Sequence, residues 1–139
     1  MKRSGMSQDD LLFMFKTVIR PVLDFATVAY HTMLTKSQSE RLERLQKRAI
    51  KIICGVNKSY NSAIEEGLIE RLEERRENTF LKFTVKASNN PLFKEKWFPL
   101  NPETDYNVRN RKKYREFHSK TDRLQKSPLF QMRRRLNNE

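Results

Sequence analysis

Little in this chain punctuates or cross-links it. Its 139 residues hold 3 glycines, 1 cysteine and 1 tryptophan. A single cysteine, Cys54, excludes an intrachain disulfide and fits a reducing compartment. One cysteine and two distant histidines, His31 and His118, cannot build a zinc knuckle or ribbon. Scarce glycine and a near absence of apolar–polar alternation argue against sheets and for an all-α chain. There is no Gly-rich phosphate loop, no nucleophile elbow and no paired acid/base glutamate. Asp9-Asp10 is the only adjacent Asp pair. It opens a helix instead of following apolar strand residues at a hairpin, so it reads as first-turn charge on the helix dipole, not a metal site. No catalytic residue, metal or cofactor is expected. No apolar run approaches the ~20 residues that span a bilayer, and the start, MKRSGMSQDD, lacks the apolar core of a secretory signal. The expectation is an intracellular protein, cytoplasmic or nuclear, with no membrane partner.

Acidic charge is the other shortage. Against 17 Asp and Glu stand 29 Lys and Arg, a net charge of +12 and a pI near 10.1. Such an excess points to nucleic acid or another anionic surface as partner.

What is present centres on residues 35–55, TKSQSERLERLQKRAIKIICG. Thr35 and Gln38 have the spacing of a capping box, and Gly55 suits a left-handed helix end. Leu42, Leu45, Ala49, Ile52 and Ile53 recur at the helical period as one apolar stripe. Arg41, Arg44, Arg48 and Lys51 recur on the opposite side. That row is either a solvated face with Glu40 and Glu43 as local partners, or a face turned to an acidic polymer.

Before it, residues 8–33 keep one helical phase from Leu11 to Met33, with Ser7 as N-cap. Pro21 interrupts the run at a cost of roughly 3 kcal/mol. The spacing predicts a kinked helix, or two helices meeting at Arg20–Pro21, whose second half is central to the core. After Gly55, a brief helix over 60–66 is expected to end at Gly67. A longer one follows to Asn89-Asn90-Pro91, with Leu72, Thr79, Phe80, Phe83 and Ala87 on one side. Arg76 falls on that side, so it either snorkels or is paired, with Asp24 one available partner. Residues 1–90 therefore read as a helical domain and 91–105 as an irregular Pro/aromatic connector. Residues 106–139 read as an extended or loosely packed basic tail, with a short helix near 128–136 opened by Ser127-Pro128. From 105 onward there are 11 Lys and Arg against 4 Asp and Glu. That segment adds Arg109, Arg111, Lys112, Lys113 and Arg115, then Arg133, Arg134 and Arg135, as phosphate-binding candidates. Tyr106, Tyr114 and Phe117 lie among them, either as packing anchors or as rings for an unpaired base.

Three blocks occur in order: LLFMFKTVIRPVLDFATVAY, LTKSQSERLERLQKRAIKIICG and GLIERLEERRENTFLKFTVKA. They resemble the segment that follows the polymerase domain in reverse transcriptases of LINE-type, jockey-like non-LTR retrotransposons. The matching residues are Lys16, Ile19, Arg20, Pro21, Leu23, Phe25 and Ala26 in the first block. In the second they are Leu34, Thr35, Gln38, Leu42, Glu43, Gln46, Arg48, Ala49, Ile53 and Gly55, and in the third Gly67, Leu68, Leu72, Arg75 and Arg76. The likeness spans about residues 11–100. It implies a small helical, thumb-like bundle that holds template–product duplex, RNA–DNA or DNA, by its backbone regardless of sequence. The palm, with its Phe/Tyr-Ala-Asp-Asp signature, is absent from these residues. The resemblance therefore implies a non-catalytic C-terminal fragment of an RNA-directed DNA polymerase, with Met1 compatible with an internal methionine. The alternative is a free-standing helical protein-interaction module whose charge only keeps it dispersed.

Overall fold

The computed structural model describes residues 5–55, 58–102 and 111–138. It is all-α, with no β-strand among the described residues and one isolated antiparallel bridge, Leu100 to Tyr114. The helices are α1 (Gln8–Met14), α2 (Arg20–Asp24), α3 (Thr27–Tyr30), α4 (Lys36–Cys54), α5 (Tyr60–Glu65), α6 (Leu72–Asn89), α7 (Pro91–Trp97), α8 (Asp122–Gln125) and α9 (Pro128–Asn138). A π turn, Phe15–Ile19, joins α1 to α2, and a 3-10 turn, His31–Met33, follows α3. Among the described residues no helix is long and apolar enough to cross a membrane. The chain divides into two compact units, Met1–Thr27 with Leu34–Glu77, and Val28–Met33 with Asn78–Glu139.

In the first unit, Leu11, Leu12 and Phe15 pack with Ile50 and Ile53 of α4, Ala63 of α5 and Ile69. Each of the buried Leu, Ile and Phe side chains contributes roughly 1.5–3 kcal/mol by leaving water. Ser7 caps α1 by accepting the Asp10 N–H at 3.2 Å. The predicted continuation past Pro21 is altered by the π turn. Pro21 has no N–H, and its ring would press on the carbonyl four residues back. The widened turn relieves this, and the Arg20 N–H bonds Phe15 O, five residues back. One extra residue in a turn rotates everything beyond it by about 100°. The buried series therefore steps from Phe15 to Arg20 and Thr27, while Val18, Ile19 and Val22 face out. The expected core role of the second half is met only in part: Val22 is 73% and Phe25 79% exposed, while Thr27 is buried and Val28 packs against the core of the second unit. The helix stops at Asp24, and Ala26 breaks the chain direction at φ 53°.

α4 carries its predicted capping box. Gln38 N–H donates to Thr35 Oγ1 at 3.3 Å, and Thr35 N–H donates to Gln38 Oε1 at 2.9 Å. Gly55 closes it at φ 77° and ψ −165°. This is a positive-φ region open to glycine alone, but not the left-handed helical one expected. The buried face also differs from the predicted stripe. Gln46, Ile50 and Ile53 are buried, while Leu45 and Ile52 stand exposed at the edge. Gln46 is tolerated inside because its Nε2 donates to Tyr60 Oη at 2.9 Å and Glu70 O at 2.8 Å. Glu43, expected as a surface partner, accepts from the Tyr60 hydroxyl and from the first N–H of α6, Leu72, at 3.2 Å. Burial, and next the bond to Glu43, push the Tyr60 phenol above its ordinary range.

Arg76 is 1% exposed, as its position on the apolar side predicts, but its partner differs. Its Nη2 donates to the Ser39 hydroxyl of α4 at 2.6 Å. Asp24 instead pairs with Arg75 at 2.6 Å, which reaches the carboxylate from the less buried edge. Thr79, placed on the buried side from sequence, is exposed; Thr84 and Ser88 take such positions by bonding backbone carbonyls within α6.

In the second unit, Phe80 and Ala87 of α6 pack with Phe98, Tyr114 and Met132. Two expectations fail here. Residues 91–102 are not merely irregular, because α7 forms there. Asn90 Oδ1 caps it from Leu92 N–H at 2.9 Å, and Pro91 takes the first turn, where its missing N–H costs nothing. Nor are the described residues of the tail loosely packed. Tyr114 and Met132 belong to the core, and Asn137 clamps Tyr114 by accepting its N–H at 2.8 Å and donating to its carbonyl at 3.0 Å. The predicted helix near 128–136 is α9, and α8 precedes it, capped by Thr121.

Candidate nucleic-acid interface

α4 turns Arg41, Arg44, Arg48 and Lys51 to solvent as one row, opposite Gln46 and Ile50. The buried face, tied down by the core and the Gln46 bonds, fixes where the row points. Among the described residues one ion pair touches it, Arg44 to Glu40 at 3.9 Å, long and solvent-exposed, so it contributes little. Lys47, one i,i+4 step before Lys51, is exposed too and adds to the same charged side. The sequence reading missed it, although that spacing is its signal. A row of guanidinium and ammonium groups on a rigid helix can place several donors on successive phosphate oxygens without reading bases.

The candidates beyond residue 105 lie in the second unit and do not behave alike. Arg109 lies outside the described residues. Arg111 donates to Pro102 O at 2.7 Å, and Lys112 pairs with Glu116 at 2.6 Å. That bond to Lys112, and then one from Asn137, hold the Glu116 carboxyl below its usual range. Lys113 Nζ lies 5.3 Å over the Tyr114 ring. Arg115, Arg134 and Arg135 are exposed. Arg133 is not available to a phosphate: it is 2% exposed, its Nε donates to Trp97 O at 2.5 Å, and its guanidinium lies 4.2 Å over Phe117. Burial pushes its pKa down. The signal was present, since Leu129, Met132, Arg133 and Leu136 are spaced as one buried helical stripe. Of the aromatic residues, Tyr106 lies outside the described residues, Tyr114 is a packing anchor, and Phe117 remains exposed.

Of the structural residues, Pro21 sits just past the π turn, Gly55 ends α4 and Arg76 bridges α6 to α4. Among the described residues no three His, Cys, Asp or Glu side chains gather as a metal-binding set. No family model, curated protein or solved structure matches the chain.

Proposed function

We propose that this chain is the thumb-like C-terminal part of a non-LTR retrotransposon reverse transcriptase, without the catalytic palm, and that it grips nucleic-acid duplex by its phosphates irrespective of sequence. The three residue blocks support the origin. The exposed row Arg41, Arg44, Arg48 and Lys51, set opposite a buried face, is the observation that carries the binding. Each phosphate neutralised contributes a slope of about −0.9 to log K against log salt. Four contacts give a slope near −3.6, little affected by base sequence. Titration of RNA–DNA and DNA duplexes at several salt concentrations tests this. Arg41→Glu with Arg48→Glu should flatten the slope; a salt-independent affinity would overturn the reading. Primer extension with Mg²⁺ or Mn²⁺ should give no product, because the chain supplies no palm carboxylates.

The exposed Leu45 and Ile52, 55% and 54% accessible beside the basic row, favour a second reading, a protein-docking helix. Leu45→Ser with Ile52→Ser would then abolish partner binding and leave duplex affinity unchanged.

A further inference from the structure

The second unit holds a cavity of about 170 Å³ between the segment 116–119 and α9, which shares no residue with the α4 row. Phe117, Phe130, Gln131 and Arg134 line it, together with Ser119, Gln125, His118 and Glu116, whose carboxylate is paired with Lys112. We propose that it takes one unpaired nucleobase of a single-stranded RNA or DNA.

Size, walls and edges agree on that ligand class. The volume is below the ~300–1,000 Å³ of sites for drug-sized molecules, so one ring system fits and a whole nucleotide does not. Phe117 and Phe130 form an aromatic corner, with ring centroids 6.3 Å apart and planes at 58°. The Arg133 guanidinium covers one side of the Phe117 ring at 4.2 Å and is itself tied to Trp97 O. That cation–π contact fixes the ring's orientation. Phe117 nevertheless remains 46% exposed, so ring surface is left for a flat partner. The polar edge is unspent. Gln131 Nε2 is held by Gln125 O at 2.8 Å, which leaves its Oε1 as an acceptor. A base offers what these groups lack: a π-face for the rings, and an amine or imino N–H edge for the Gln131 amide oxygen. Arg134 is exposed on the cavity lining, where the phosphate attached to that base can meet it. A purely apolar ligand would leave the Gln131 Oε1 unused. Every base has a π-face, so the site tolerates any sequence but not paired strands, whose bases are stacked inward.

The test compares three probes of nearly equal phosphate count on the full chain: a single strand of about twenty nucleotides, the same strand with abasic sites, and a GC-rich duplex of about ten base pairs. The intact strand should bind roughly five- to hundredfold more tightly than the abasic one. Phe117→Leu, which keeps an apolar contact for Phe130, should remove that advantage and leave duplex affinity and its salt slope unchanged. Gln131→Leu should reduce it in part. Equal affinity for intact and abasic strands would overturn the proposal, as would equal losses of strand and duplex binding in Phe117→Leu. The intact-to-abasic ratio of the unaltered protein decides the matter even if a variant fails to fold. Arg41→Glu with Arg48→Glu should leave that ratio unchanged, so failure of the α4 clamp and failure of this site give different results.

Discussion

Arg76 carries its charge out of reach of water and spends it on a neutral hydroxyl, Ser39. Truncation loses a charge-assisted hydrogen bond and leaves a void, which together cost about 2–4 kcal/mol. Arg44 and Arg48, both exposed, should change stability within about ±0.5 kcal/mol. Thermal melts of Arg76→Ala, Arg44→Ala and Arg48→Ala should therefore separate by about 10 °C or more; coincident midpoints would contradict the burial of Arg76. Tyr60 makes a second residue-scale prediction. Its phenol stays neutral in the fold at a pH where a free tyrosine, with pKa near 10, ionises. A raised folded pKa stabilises fully below that ordinary value, and the contribution is lost as pH climbs through the folded one. The melting temperature should fall from about pH 10 upward, and less steeply in Tyr60→Phe. At pH 7 that variant should already be weaker by about 1–2 kcal/mol, because Gln46 and Glu43 each lose a partner.

At the scale of elements, the π turn explains what sequence periodicity misassigned from Val18 to Val22. Periodicity assumes a constant step, and between Phe15 and Arg20 the step is five residues. Deleting Val18 together with Pro21→Ala should restore an ordinary α-helix while keeping Phe15 and Arg20 on one face. That double change should melt within about 3 °C of the parent. A loss as large as that of Arg76→Ala would show that the widened turn is not what resets the phase. Helix ends were legible where their chemistry is local: Ser7, Thr35 with Gln38, Gly67 and Ser127-Pro128 all lie at element boundaries. Asn90-Pro91 was legible only by half. It reads as a stop for α6, yet an Asn followed by Pro is equally an N-cap and first turn, and α7 uses it so. Asn90→Ala should cost about 1 kcal/mol, measurable by denaturant titration. The buried polar side chains were the least legible, since nothing in Gln46 or Glu43 announces a distant Tyr60.

For the whole molecule, charge was the most readable property and packing of the C-terminal third the least. The α4 row is visible because its residues repeat at the period opposite the core. Within the run Arg133 to Arg135, by contrast, one arginine is buried and its neighbours are not. That third does not behave as a detachable basic tail. Removing residues 105–139 takes Tyr114 and Met132 from around Phe80 and Phe98, so the truncated chain should bind hydrophobic dyes and lose cooperative melting of the second unit. A truncated chain with an unchanged melt of that unit would refute this packing. Point changes at Arg115, Arg134 and Arg135 are the cleaner probe of its charge. The division into two units also has a practical side. The lone thiol, Cys54, belongs to the first unit and the lone indole, Trp97, to the second. Nature has thus supplied one optical reporter for each half: a thiol-reactive dye follows the opening of one, intrinsic emission follows the other, and no engineered label is required.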